Sequence, residues 1–60
     1  MKWSEIVRLA EANGWRLERH GKRHDIYWKP ETGERLLIER RWSQEVKRKL
    51  LNKLQKQIGF

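Results

Sequence analysis

The chain contains no cysteine. Disulfide staples, thiolate zinc sites and iron–sulfur clusters are therefore excluded. Two histidines are too few for a structural tetrahedral metal site without carboxylate help, so no metal and no small-molecule cofactor is expected. No apolar run approaches the ~18 residues needed to span a membrane. The opening Met1-Lys2-Trp3-Ser4-Glu5 lacks the apolar core of a secretory signal, and the expected compartment is the cytoplasm. Acids are scarce as well: 8 Asp plus Glu stand against 15 Lys plus Arg, a formal charge of +7 on 60 residues. A single domain of this size buries only roughly 60% of its unfolded surface, so no large internal active-site cavity is expected. Any chemistry sits on the surface, beside positive charge. The partner implied is anionic: nucleic acid, an anionic membrane surface or an acidic protein.

Four Trp, one Tyr and one Phe, together with clear periodicity, argue for a folded chain. Trp3, Ile6, Val7, Leu9 and Ala10 recur at three- and four-residue spacings, one face of a helix. With Ser4 as N-cap, Glu5 in the first turn and Asn13-Gly14 as the stop, the spacing predicts a helix over 4–13. Residues 15–19 alternate apolar and charged, as a half-buried strand does. His20-Gly21-Lys22-Arg23 reads as a glycine turn, residues 24–29 as a second strand, and Pro30-Glu31-Thr32-Gly33 as a second turn with Gly33 at positive φ. Residues 34–39 read as a third strand. Ser43 is the expected N-cap of a second helix. Val46, Leu50, Leu54 and Ile58 form its apolar stripe, Trp42 staples against Val46, and Gly59 ends it.

The expected fold is therefore α+β, ordered α-β-β-β-α. A three-stranded antiparallel sheet carries two helices on one face, and residues 1–60 form one domain. Trp15, Leu17, Ile26, Trp28, Leu36 and Ile38 are expected to face the helices. The layout resembles the double-stranded-RNA-binding domain.

The charge is uneven. From 40 to 56 there are seven bases (Arg40, Arg41, Lys47, Arg48, Lys49, Lys53, Lys56) and one acid, Glu45. A second group, Arg19, Lys22 and Arg23, flanks the turn before His24. A solvated helix face accounts for such a stripe; contact with phosphates accounts for it too, and for the second cluster. His24 is the one strong candidate for acid–base work, because an imidazole takes both protonation states near neutrality. RNA cleavage by the 2′-hydroxyl needs a base, an acid and cations beside the crowded phosphorane. The bland alternative for His24 is an exposed histidine at a strand edge. His20 is expected to be a bystander or a phosphate contact.

Several of these residues together resemble the HicA family of toxins. Ser4-Glu5, Asn13-Gly14-Trp15, Gly21, His24, Ile26-Tyr27 and the closing Ile58-Gly59-Phe60 fill the family's places in order, over essentially the whole chain. The resemblance implies a ribonuclease acting on mRNA, a catalytic histidine at His24 and a HicB-like antitoxin that covers the site. The chain departs from the family where members commonly carry Pro-Arg-His after the third strand, and here Glu39-Arg40-Arg41 stands. Residues 42–47 form a longer segment, and Lys22 replaces a usual small residue after the turn glycine. The RNA-binding residues expected are Lys22, Arg23, Arg40 and Arg41, followed by Lys47 and Arg48. A metal-independent endoribonuclease is the leading reading. A non-catalytic RNA-binding module and a basic protein-interaction domain are the alternatives.

Overall fold

A computed structural model describes residues 1–60. Its elements are α1 (Trp3–Ala12), β1 (Arg16–His20), β2 (His24–Trp28), β3 (Arg35–Glu39) and α2 (Arg48–Ile58). The sheet is antiparallel with strand order β1-β2-β3. The order and fold class are those expected from the periodicity. No helix is long and apolar enough to cross a membrane.

Both helix starts differ from expectation, for one shared reason. Ser4 lies inside α1 rather than capping it. The free amides of the first turn find backbone partners instead: Trp3 N–H donates to the Gln44 carbonyl and Ser4 N–H to the Trp42 carbonyl, both at 3.1 Å. Glu5 reaches back to accept from the Lys2 amide at 3.1 Å, the carboxylate half of a capping box. The segment before α2 is thus occupied as an extended partner of the N-terminus. Lys2 and Glu45 form a β-bridge, and Val46 N–H donates to the Met1 carbonyl at 2.9 Å. Ser43 therefore caps nothing, and α2 begins at Arg48. Val46 is buried all the same, ahead of the helix. Trp42 is exposed, because the staple geometry needs a helix start that is not there.

Ten buried side chains form one core: Trp3, Ile6 and Ala10 of α1, Trp15, Tyr27, Leu36, Ile38, Val46, and Leu54 and Ile58 of α2. Both helices thus pack on the sheet face that carries Tyr27, Leu36 and Ile38. Burying Ile6 or Ile38 completely contributes roughly 1.5–3 kcal/mol each.

The expected facing of β2 is reversed. Asp25 and Tyr27 point to the helices, opposite Ile38 and Leu36 of β3. His24, Ile26 and Trp28 lie on the open face, opposite Glu39, Leu37 and Arg35. Ile26 and Trp28 are more apolar than Asp25, so alternation alone selects the wrong face. The buried carboxylate is tolerated because it is paired, as described below. Leu17 lies opposite Tyr27 on the helix side but remains exposed at the sheet margin. A register shift between Leu17 and Arg19 bends β1 and keeps Arg19 with Ile26 on the open face.

The two sheet edges are protected differently. On β3, the Gln57 side-chain amide of α2 donates to the Arg35 carbonyl at 3.0 Å. On β1, charged side chains (Arg16, Glu18, Arg19) discourage edge pairing, and Glu18 accepts from Arg35 Nε at 3.1 Å across the open face.

Tyr27 is the only tyrosine. Burial, then the charges of Glu11 and Asp25, raise its phenol above the ordinary value of 10.0. The unfolded chain therefore ionises first as pH rises, and the stability held by the neutral phenol is lost progressively above pH 10. Tyrosinate absorbance of the folded protein is expected to reach its midpoint above 10.0, and to move down to the ordinary value in denaturant. A midpoint unchanged by unfolding contradicts this.

Candidate active site

The β1–β2 turn positions the central histidine. Gly21 N–H donates to the His24 carbonyl at 2.8 Å, closing the hairpin. A Cβ at position 21 would stand 2.7 Å from that carbonyl oxygen, which is inside contact distance against a backbone atom. Glycine is required here by close approach rather than by positive φ. His24 then opens β2 with its side chain on the uncovered sheet face, 41% exposed.

Glu39, the last residue of β3, lies directly opposite His24 in the ladder. Its Oε1 is 3.9 Å from His24 Nε2, and its side chain is 38% exposed. Its other oxygen is 4.0 Å from Arg41 Nε. A shallow cleft of about 180 Å³ is lined by Arg23, His24, Glu39 and Arg41 and by nothing else. Two more hollows meet at the same histidine. One, about 340 Å³, runs along the open face between Gly21, Lys22, Arg23, His24, Ile26 and Leu37. The other, about 370 Å³, separates β3 from α2 and brings Lys53 to the same space as His24 and Glu39.

Arg40 is engaged elsewhere. Its Nη2 donates to the carbonyls of Gly21 at 2.5 Å and Lys22 at 2.6 Å. Its Nε lies 3.6 Å from Asp25 Oδ1. Asp25 is 2% exposed and also holds His20 Nδ1 at 2.7 Å. A buried carboxylate needs such partners, so Arg40 and His20 are the groups that make its burial possible. The same arginine ties the end of β3 to the turn that carries Lys22 and Arg23. His20, expected from the sequence to be a bystander or a phosphate contact, is a partner of this buried charge.

Of the bases singled out from sequence, Lys22, Arg23 and Arg41 therefore gather around His24. Arg40 reaches the same region but spends its donors on the backbone. Lys47 precedes α2 and Arg48 begins it; both are exposed and line none of the three hollows. Lys22, Arg23, Lys47 and Arg48 pair with no carboxylate, whereas Arg41 pairs with Glu39. Sequence reasoning missed two contributors. Glu39 was treated only as a departure from a pattern, although counting equal residues back from the second turn puts it opposite His24. Lys53 was one lysine among several on a helix face, and no sequence signal distinguishes it.

The arrangement suits an anion with transferable protons nearby. Two guanidinium groups can hold phosphate oxygens, an imidazole can donate or accept, and a carboxylate can accept. All sit at an open surface, where a long polymer can lie.

No curated protein and no solved structure matches the chain. A family model described as the HicA toxin of bacterial toxin–antitoxin systems matches residues 3–60. That span takes in both helices, the whole sheet and every residue around the cleft, and the chain belongs to the HicA toxin family.

Proposed function

We propose that this chain is an mRNA-cleaving endoribonuclease in which His24 moves a proton, silenced by a HicB-like antitoxin that covers the cleft. The carrying observation is the composition of the cleft: one half-exposed imidazole between Arg23 and Arg41. In the reaction the ribose 2′-hydroxyl attacks the adjacent phosphorus and the 5′-oxygen leaves. The arginines oppose the charge that builds on the phosphorane. The nucleophile is part of the substrate, so the reaction uses no metal and spares DNA. The site of action is the cytoplasm, where mRNA is.

Lys22 and Arg23, both without acidic partners, bind the RNA backbone near the cut. Lys47 and Arg48 extend that surface toward α2. Replacing Lys22 and Arg23 together by alanine is expected to weaken RNA binding at low salt. The slope of log affinity against log salt should become less negative by about 0.7 per lost phosphate contact on single strands. Affinity and slope equal to wild type would place the RNA elsewhere.

The function as a whole is tested by induced expression in bacteria. Growth arrest with loss of full-length mRNA is expected, and co-expression of a HicB-like partner should restore growth. RNA binding without RNA loss would support the non-catalytic module instead.

A further inference from the structure

The geometry assigns Glu39 a role of its own: we infer that it is the general base of the cleavage and that His24 is the general acid. This inference rests on the proposed ribonuclease reading and names the second proton-transfer group that reading requires. In-line cleavage moves two protons on opposite sides of one phosphorus. The 2′-hydroxyl must lose one and the leaving 5′-oxygen must gain one. One imidazole cannot serve both oxygens in a single step. The cleft contains one further group able to take a proton, the carboxylate of Glu39.

Its placement fits. Glu39 and His24 are register partners on the same sheet face. Their nearest atoms are 3.9 Å apart, longer than a hydrogen bond, so the two form an ion pair when His24 is protonated without a hydrogen bond that would tie up either group. Both side chains are open to solvent. A bare carboxylate would repel a phosphodiester. Arg41, 4.0 Å from Glu39 Oε2, and Arg23 across the cleft offset that repulsion. Lys53 adds positive charge from α2. Simple RNA binding would be better served by a neutral residue at position 39, whereas proton transfer needs the acid.

The step balances. The Glu39 carboxylate takes the proton of the 2′-hydroxyl as the O2′–P bond forms. The imidazolium of His24 gives its proton to O5′ as the P–O5′ bond breaks. The products are a 2′,3′-cyclic phosphate and a 5′-hydroxyl end, with no external oxidant, reductant or co-reactant. Both groups then return to their starting states by exchanging the proton with solvent.

The test is single-turnover RNA cleavage by wild type, Glu39→Gln, Glu39→Asp and His24→Gln across pH, with affinity measured on a fully 2′-O-methylated RNA that cannot be cut. The groups that face Glu39 and share the profile are His24 on β2, Arg23 on the turn, Arg41 after β3 and Lys53 on α2. Glu39→Gln is expected to lose about 10²-fold or more in rate, to lose the acid-side limb of the pH profile, and to bind the methylated RNA at least as tightly. Glu39→Asp is expected to keep that limb at a reduced rate. A loss in Glu39→Gln smaller than about tenfold, below the range of a proton-transfer group, overturns the inference. So does an even loss with the acid-side limb intact, because Glu39 would then only position His24. Disappearance of that limb in Glu39→Asp overturns it as well. If His24→Gln cuts as fast as wild type, His24 is not the acid and the inference fails; if instead the wild type leaves the RNA uncut, the ribonuclease reading itself fails, whatever Glu39 does.

Discussion

Replacing His24 by alanine is expected to reduce RNA cleavage by roughly 10²–10⁴-fold, the range for a positioned proton-transfer group. RNA affinity should be nearly unchanged, because Lys22, Arg23 and Arg41 remain in place around the cleft. The fold should survive as well. The His24 side chain lies on the open face and outside the core, and its carbonyl, which the variant keeps, is the atom that closes the turn. Thermal midpoint, affinity and cleavage rate measured on one preparation separate these effects. A variant that binds, melts like wild type and no longer cuts is the expected result. Equal cleavage would remove His24 from the chemistry, and equal losses of binding and cleavage would make it only a contact.

Replacing Arg40 by leucine is expected to act through the fold. Three attachments are lost: two hydrogen bonds to the carbonyls of Gly21 and Lys22 and the approach to Asp25. Asp25 is left almost fully buried with His20 as its remaining partner. Stranding a buried charge is costly, but Arg40 is itself about one-third exposed, which screens the contact. The expected loss is about 2 kcal/mol. Domains of 60 residues typically hold only ~3–9 kcal/mol in total. The corresponding fall in Tm is on the order of 10 °C. Cleavage should fall in step with the loosened turn, and lowering the temperature should recover part of it. An Arg40 variant with the wild-type Tm and a shallower salt dependence of RNA binding would show that Arg40 touches RNA instead.

Arg40 also illustrates where the sequence was legible and where it was not. A run of bases after β3 is visible in the sequence, but its division of labour is not. Arg41 faces the cleft, whereas Arg40 turns back to a carboxylate 15 positions earlier, and only tertiary structure decides between them. The elements themselves were readable, because apolar spacing and glycine turns are local signals: Gly33 does adopt positive φ, and Gly59 ends α2 in the left-handed region. The two helix starts were not readable, because the first amides of α1 and the amide of Val46 ahead of α2 bond to backbone about 40 positions away in the chain. The facing of β2 was misread for a related reason. A buried Asp25 breaks alternation, and its burial is made possible by His20 and Arg40, which no local pattern announces. His24 stands out in the sequence as a titratable residue beside a basic turn, but the expected facing of Ile26 and Trp28 would have put it on the helix side; the reversed facing of β2 is what leaves it on the open face. Glu39 emerged only when the register of β2 and β3 placed it opposite.

If this surface cuts RNA through the substrate's own 2′-hydroxyl, with His24 moving a proton, the ends of the products carry the signature. Purified protein, in the presence of a chelator, is incubated with mRNA and with single-stranded DNA of the same sequence, alongside His24→Gln. RNA fragments bearing 5′-hydroxyl and 2′,3′-cyclic phosphate ends, intact DNA, and no fragments from His24→Gln are expected. Fragments with 5′-phosphate ends, cleavage of the DNA, or undiminished cutting by His24→Gln would contradict it.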